Sequence, residues 1–190
     1  FLAVNQHITV NPSTPISHPK YEVKPPRILN PLEYRALRDA CRGDIRISAI
    51  VETLLQTGVR IGELANLRVG DVRDNSLFIR EFEGHSPREV PLNKAAKGAL
   101  KNYLEMRPTA KIDYIFITKN GKQLLIRNIR TALDRYFKLA GIENAKINDL
   151  RHTFIAHHLK AGVSLALISR FVGHKRISTT EHYLEFVKER

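Results

Sequence analysis

Four residues stand out by type and spacing: Arg60, Arg151, His174 and Tyr183. Tyr183 follows His174 by nine residues and Arg151 by 32, inside RHTFIAHHLKAGVSLALISRFVGHKRISTTEHYLEF. Arg60 lies far upstream, in TGVRIGELANLRVGDV. A phenol ionises near pH ~10, so it is a poor nucleophile unless its proton finds an acceptor and its target is polarised. Attack on a phosphodiester builds charge on the non-bridging oxygens. Arginine suits that charge, because its planar fork binds two oxygens at once and stays protonated. Preorganised donors aimed at developing charge usually supply the largest share of catalysis. Two guanidinium forks, an imidazole and a phenol are what is needed to clamp a phosphodiester and attack it covalently. The set implies chemistry that breaks and rejoins DNA strands.

Taken singly, each residue has an ordinary explanation. Arg60 follows Thr57-Gly58, where the backbone turns into the next helix, and could be a surface arginine with a capping role. Glu63, three positions later on the same face, can orient it by an i,i+3 pair. Arg151 sits mid-helix with Leu150 and Phe154 alongside, which predicts partial burial and an anionic partner. His152 points about 100° around that helix and reads as a packing histidine or one that braces a neighbour. His157 and His158 read the same way, with more exposure. His174 follows Phe171-Val172-Gly173, so a glycine ends one helix and leaves the imidazole on a loop. There it could donate to phosphate or accept the phenol's proton. Of six tyrosines, Tyr183 alone lies in this cluster. Tyr34, Tyr103 and Tyr136 fall in predicted helices as packing residues, Tyr21 in a linker and Tyr114 in a strand.

The elements that must position these groups follow from local signals. Residues 1 to about 28, with NPSTPISHPKYEVKPPR, carry no sustained period and predict an extended linker. Asn30, Pro31 and Glu33 form a helix start, with a stop near Gly43. Asp44 opens a second helix with apolar residues at 47, 50, 51, 54 and 55 and a Gly58 stop. RIGELANLRV predicts a short helix ending before Gly70-Asp71. SLFIREF and REVPL predict a hairpin around Gly84-His85-Ser86-Pro87. NKAAKGALKNYLEM returns to helix, and YIFIT predicts a strand turned by Asn120-Gly121. IRNIRTALDRYFKLAG, INDLRHTFIAHHLKAG, SLALISRFVG and STTEHYLEFVKER predict a helical C-terminal half, with Ser178-Thr179-Thr180 capping the last helix. The fold class is mainly α with a small antiparallel β-sheet.

Composition narrows the partners. A 43% hydrophobic fraction supports a real core. Thirty-one Lys and Arg against nineteen Asp and Glu give a formal charge of +12. Such a field favours polyanions through counterion release. Charge alone leaves a heparin or acidic-lipid binder open. The single cysteine, Cys41, excludes an internal disulfide and a cysteine-rich zinc site, and reads as a small packing residue. No apolar run approaches the roughly 20 residues of a membrane span, and no signal peptide is visible. Together with the lone cysteine this predicts a soluble protein of a reducing compartment.

TGVRIGELANLRVGDV, LRHTFIAHHLKAG, LISRFVGH and ISTTEHYL together resemble the tyrosine recombinase (phage integrase) family, its Xer-like members included. The resemblance covers residues 29–190 in the family's order and spacing. It implies that family's catalytic domain over 29–190, an interdomain linker over 1–28, and an N-terminal core-binding domain missing from this chain. By resemblance Arg60 and Arg151 clamp the phosphate, His174 is the later histidine, and Tyr183 is the nucleophile. Its attack would leave a 3′-phosphotyrosyl link and a free 5′-hydroxyl, with no metal or cofactor. The implied partners are double-stranded DNA and other protomers in a DNA-bound tetramer, with no membrane, in the cytoplasm at the nucleoid. Seven residues follow Tyr183, so an exchanged C-terminal segment is expected to be short or cut off, and the chain monomeric without DNA.

Two positions depart from the family pattern. The histidine three residues before the second arginine is Asn148 here, which can donate a hydrogen bond but cannot shuttle a proton. The hairpin lysine that would protonate the leaving oxygen is replaced by Glu83, and no lysine lies between residues 74 and 93. His85 could substitute as the acid, or a lysine could come from elsewhere. The runner-up reading is therefore a catalytically weakened relative that binds DNA as an architectural or regulatory module. A general nucleic-acid binder explains the charge but leaves the Arg–Arg–His–Tyr order as coincidence. A type IB relaxase would share the same chemistry.

Overall fold

Capping residues set where the first helices begin. The Asn30 side chain accepts from the N–H groups of Leu32 and Glu33, and the Glu33 carboxylate accepts from the Asn30 N–H. This reciprocal box opens α1 (Pro31–Cys41), with Pro31 inside the start as expected. Asp44 accepts from Ile47 N–H and opens α2 (Ile45–Thr57), which Gly58 ends. The expected apolar positions Ile47, Ile50, Val51, Leu54 and Leu55 are all buried. The computed structural model describes residues 4–10 and 25–187. Most of the expected linker, with Tyr21, lies outside the described residues, as do residues 188–190.

The helix expected over RIGELANLRV is shorter. α3 (Ile61–Ala65) stops because the Asn66 side chain donates back to Gly62 O at 2.8 Å, an offer that competes with helix continuation. Leu67 O is then free to accept from Ile115 N–H at 2.8 Å, and a 3₁₀ turn, Val69–Asp71, follows. The strand expected at 114–118 does not form a ladder. Tyr114 and Ile117 make isolated bridges, to Arg68 and Gln123.

The hairpin consists of β1 (Ser76–Ile79) and β2 (Arg88–Pro91), antiparallel, with Ser76 opposite Pro91 and Ile79 opposite Arg88. Its turn is tighter than expected. The chain reverses at Glu83-Gly84, at φ +49° and +70°, while Phe82 and His85 exchange backbone hydrogen bonds. Two consecutive left-handed residues match the twist of the flanking strands.

The remaining elements are α4 (Lys94–Met106), α5 (Ile126–Leu139), α6 (Ile147–Lys160), α7 (Leu165–Val172) and α8 (Ser178–Val187). Ser178-Thr179-Thr180 forms the first turn of α8 rather than a cap before it. α2 is the central helix, packed against α1, α4 and α6. Each of its fully buried aliphatic side chains, Ile50 among them, adds about 1.5–3 kcal/mol. Cys41 is buried in this core. A smaller cluster of Phe154, Ile155, Ile168, Val172 and Tyr183 joins α6, α7 and α8. β2 packs against α7, which brings the hairpin to the same end of the molecule. No helix among the described residues is long and apolar enough to cross a membrane.

Candidate active site

The α2–α3 corner, the middle of α6 and the end of α7 meet at one atom, the carbonyl oxygen of Val172. Arg60 Nη1 donates to it at 3.1 Å, and Arg151 Nη2 at 2.7 Å. Arg60 Nη2 reaches Gly173 O at 3.0 Å, and Arg151 Nη1 reaches Gly58 O at 2.5 Å. The anionic partner expected for Arg151 is thus replaced by two carbonyls. Both belong to helix C-termini, where unpaired carbonyls carry partial negative charge. They orient the cation without neutralising it. Burial, reinforced by the nearby Arg60 charge, pushes the Arg151 guanidinium down to about 9.

Glu63 ties this corner to the hairpin. Its carboxylate accepts the Arg60 N–H at 2.8 Å and pairs with Arg60 Nη1 at 3.3 Å, the i,i+3 contact expected from spacing. Its tighter partner is Arg88 of β2, whose Nη1 and Nη2 each lie 2.8 Å from one carboxylate oxygen. Arg88 Nε also donates to Phe171 O at 2.7 Å. Bidentate pairing of this kind fixes geometry as well as charge. Sequence reasoning passed over Arg88. The available signal was the two-residue period of the strand, which puts Arg88 on the inward face with buried Val90. Burial opposes ionisation of Glu63, but the hydrogen bonds and charge of Arg88, with those of Arg60, hold its carboxyl below the ordinary range.

Gly173 ends α7 at φ +67°, and a Cβ there would meet the Arg88 Cζ at 2.9 Å. Only glycine suits both the left-handed backbone and the close guanidinium. The chain then releases His174 onto a loop, as expected. His174 Nδ1 lies 2.8 Å from Thr180 Oγ1. Thr180 is fully buried, and Nδ1 is its hydroxyl's partner among the described residues; we assign the tautomer that satisfies this hydroxyl, in which it donates to Nδ1 and the ring proton lies on Nε2. Burial, then the charges of Arg151, Arg60 and Arg88, push the imidazole down to about 3. At neutral pH His174 is an uncharged Nε2–H donor.

Tyr183 is 8% exposed and held by the small apolar cluster. Its ring centroid lies 6.4 Å from that of His174 and 5.9 Å from that of His152. Burial raises its phenol, while Arg151 pulls it back down. The His152 ring packs at a tilt against the Tyr183 ring, and its buried Nδ1 lies 3.6 Å from Asp149 Oδ1 without a hydrogen bond among the described residues. Asn148 is exposed on the first turn of α6, three residues before Arg151. At the hairpin, the Phe82 ring occupies the space a Cβ on Gly62 would need, which seats the turn beside Arg60 and Glu63. Glu83 at the tip is exposed, and His85 is part-buried. Burial, then Arg60 and Lys175, lower the His85 imidazole.

Known proteins share this arrangement of elements. The phage integrase family profile matches residues 27–190. Tyrosine recombinase XerC of Staphylococcus carnosus is 31% identical over 192 residues, covering 96% of this chain and 65% of the relative. XerC of Pelotomaculum thermopropionicum is 35% identical over 197 residues, covering 95% and 64%. This chain thus spans just under two thirds of the length of such relatives. The crystal structure of XerA recombinase superposes with a TM-score of 0.79 at 32% identity, over 90% of this chain and 63% of that one. XerH site-specific recombinase bound to palindromic difH substrate has the same fold, with a TM-score of 0.76 at 23% identity, over 88% of this chain and 52% of that one. The match runs from the α1 cap through α8 and takes in the helices that meet at Val172 and the hairpin packed against α7, so the chain belongs to the phage integrase family.

Proposed function

We propose that this chain is the catalytic part of a site-specific DNA recombinase that cleaves and rejoins DNA through a 3′-phosphotyrosyl intermediate. One observation carries the reading: two guanidiniums from distant parts of the chain converge on the Val172 carbonyl, beside a tyrosine and an uncharged imidazole. Arg60 and Arg151 clamp the non-bridging oxygens of one phosphate, and His174 Nε2–H adds a third donor. Tyr183 attacks phosphorus, forming the P–O bond to the phenol as the P–O5′ bond breaks. Asn148, exposed near the arginine clamp, adds a neutral donor to the DNA backbone. The +12 charge steers the chain to duplex DNA, and protomers assemble into a tetramer on two duplexes in the cytoplasm.

The phenol needs a proton acceptor, since burial raises its pKa. His174 presents a hydrogen rather than a lone pair, which leaves His152. The Asp149 carboxylate, 3.6 Å from Nδ1 and too far for a hydrogen bond, favours the imidazolium that forms through its charge. His152→Gln is expected to slow adduct formation about 10²-fold with DNA affinity unchanged. Equal adduct rates for variant and wild type would remove His152 from this role.

The test of the whole reading begins with duplexes selected by the protein from a randomised pool. Versions nicked at successive positions trap a covalent intermediate, because the short fragment beyond the cut diffuses away. The expected result is a protein–DNA adduct that peptide mapping assigns to Tyr183. Tight binding with no adduct at any nick position would leave a DNA-binding module and reject the enzyme.

A further inference from the structure

Expulsion of a 5′-alkoxide from phosphorus requires a proton, and the clamp cannot provide one. Arg151, although lowered to about 9, is still a cation at neutral pH, and its Nη1 and Nη2 donate to Gly58 O and Val172 O rather than to the rim of the site. His174 is held uncharged by burial and three arginines. Asn148 has only amide hydrogens. A proton donor must therefore come from the rim of the cluster, where two loops meet.

One loop is the hairpin turn. Phe82 packs over Gly62, and Arg88 chelates Glu63, so the tip at Glu83-Gly84 is fixed against the α2–α3 corner that carries Arg60. The other loop leaves α7 at Gly173 and carries His174, followed directly by Lys175. The Lys175 side chain crosses to the hairpin, where its Nζ lies 3.7 Å from the position a Cβ on Gly84 would take. The residue itself is exposed, and it joins none of the ion pairs among the described residues. Its ammonium thus stands at the tip of the turn, open to DNA, with three transferable protons.

Resting on the recombinase reading, we propose that Lys175 protonates the leaving 5′-oxygen, supplying from the α7–α8 loop the ammonium that the hairpin, which has no lysine, does not carry. As Tyr183 bonds to phosphorus and P–O5′ breaks, a proton passes from Nζ to O5′, giving a 5′-hydroxyl and a neutral amine. The phenol's proton goes to His152. Rejoining runs the same transfers backwards, with the amine taking the proton of the incoming hydroxyl. His85 is the other group at the turn. It is a poorer donor, because burial and the flanking charges of Arg60, Lys175 and Arg88 lower its imidazole below the ordinary range and so disfavour the protonated form.

The experiment uses the selected duplex in two forms, one with an ordinary scissile phosphodiester and one with sulfur in place of the bridging 5′-oxygen. The scissile linkage is mapped from the wild-type adduct. A thiolate departs without protonation, so the sulfur substrate bypasses the acid. Lys175→Ala is expected to lose about 10²–10³-fold in adduct rate on oxygen and to return within a few-fold of wild type on sulfur. Lys175→Arg keeps the charge but not the transferable proton, and should show the same pattern. His85→Asn should match wild type on both. Lys175→Ala that is equally slow on both substrates would mean a positioning contact only and overturn the proposal. So would full activity on oxygen, or sulfur rescue seen with His85→Asn instead. Failure of the wild type to form any adduct on either substrate would overturn the recombinase reading itself, a different result from all of these.

Discussion

Tyr183→Phe is expected to abolish the covalent DNA adduct while binding the same duplex within about twofold of wild type. Removing the nucleophile from a concerted catalytic set costs on the order of 10⁴–10⁶-fold, which takes trapping below detection. The ring itself should not move. It is packed among Phe154, Ile155, Ile168 and Val172, and phenylalanine fills the same space. The Tyr183 hydroxyl has no hydrogen-bond partner among the described residues, so its loss breaks no internal bond and costs little stability. On the proposed function, affinity would come from arginine and lysine contacts to phosphates, which the substitution leaves alone. Gel shift and adduct assays on one preparation separate the two effects. An adduct formed by the phenylalanine variant would move the nucleophile to another residue and dissolve the proposed role of Tyr183.

The second large effect falls on stability. Glu63→Gln is expected to lower the midpoint of thermal unfolding by on the order of 10 °C. Glu63 is 3% exposed and holds Arg88 bidentately and Arg60 at once. Breaking one partner out of a buried ion pair leaves uncompensated charge and costs about 3–5 kcal/mol. In a domain of this size each kcal/mol shifts the midpoint by roughly 2–4 °C. The companion double variant, Glu63→Gln with Arg88→Met, removes the stranded cation and should recover part of the loss. If the single variant melted with wild type, the carboxylate would not be holding the corner together.

The same carboxylate sets a pH signature. Its folded pKa is depressed, so its contribution is fully present above the unfolded carboxylate value of about 4.3 and is lost as pH falls through the folded value. Melting curves of wild type and Glu63→Gln should therefore stay apart at neutral pH and converge as pH drops below about 4. A constant gap down to strongly acid pH would contradict the depressed carboxyl.

Much of this was legible from spacing alone. The Asn30–Pro31–Glu33 box and the Asp44 cap are local devices, closed within a few residues, and they form as read. Helix stops at Gly58 and Gly173 are local for the same reason. The misread elements depend on distant partners. Whether residues 114–118 build a ladder depends on what Leu67 and Gln123 present to them. Whether the hairpin turns at 83–84 or 84–87 depends on where Phe82 can be buried, and Gly62 decides that. His152 read as a bystander because helical angle places it off the face of Arg151. The return of α8 then brings Tyr183 to that other face.

By itself, the sequence determined the family, the order of the elements and the residue types able to attack and clamp a phosphate, because these are carried by short strings and local periods. Tertiary structure alone decided that both arginines bind one carbonyl, that Arg88 and Glu63 lock the hairpin to them, that His174 is uncharged, and that Lys175 reaches the turn. The physical reason is that direction and charge state depend on burial and on neighbours far away along the chain, which no window of adjacent residues contains.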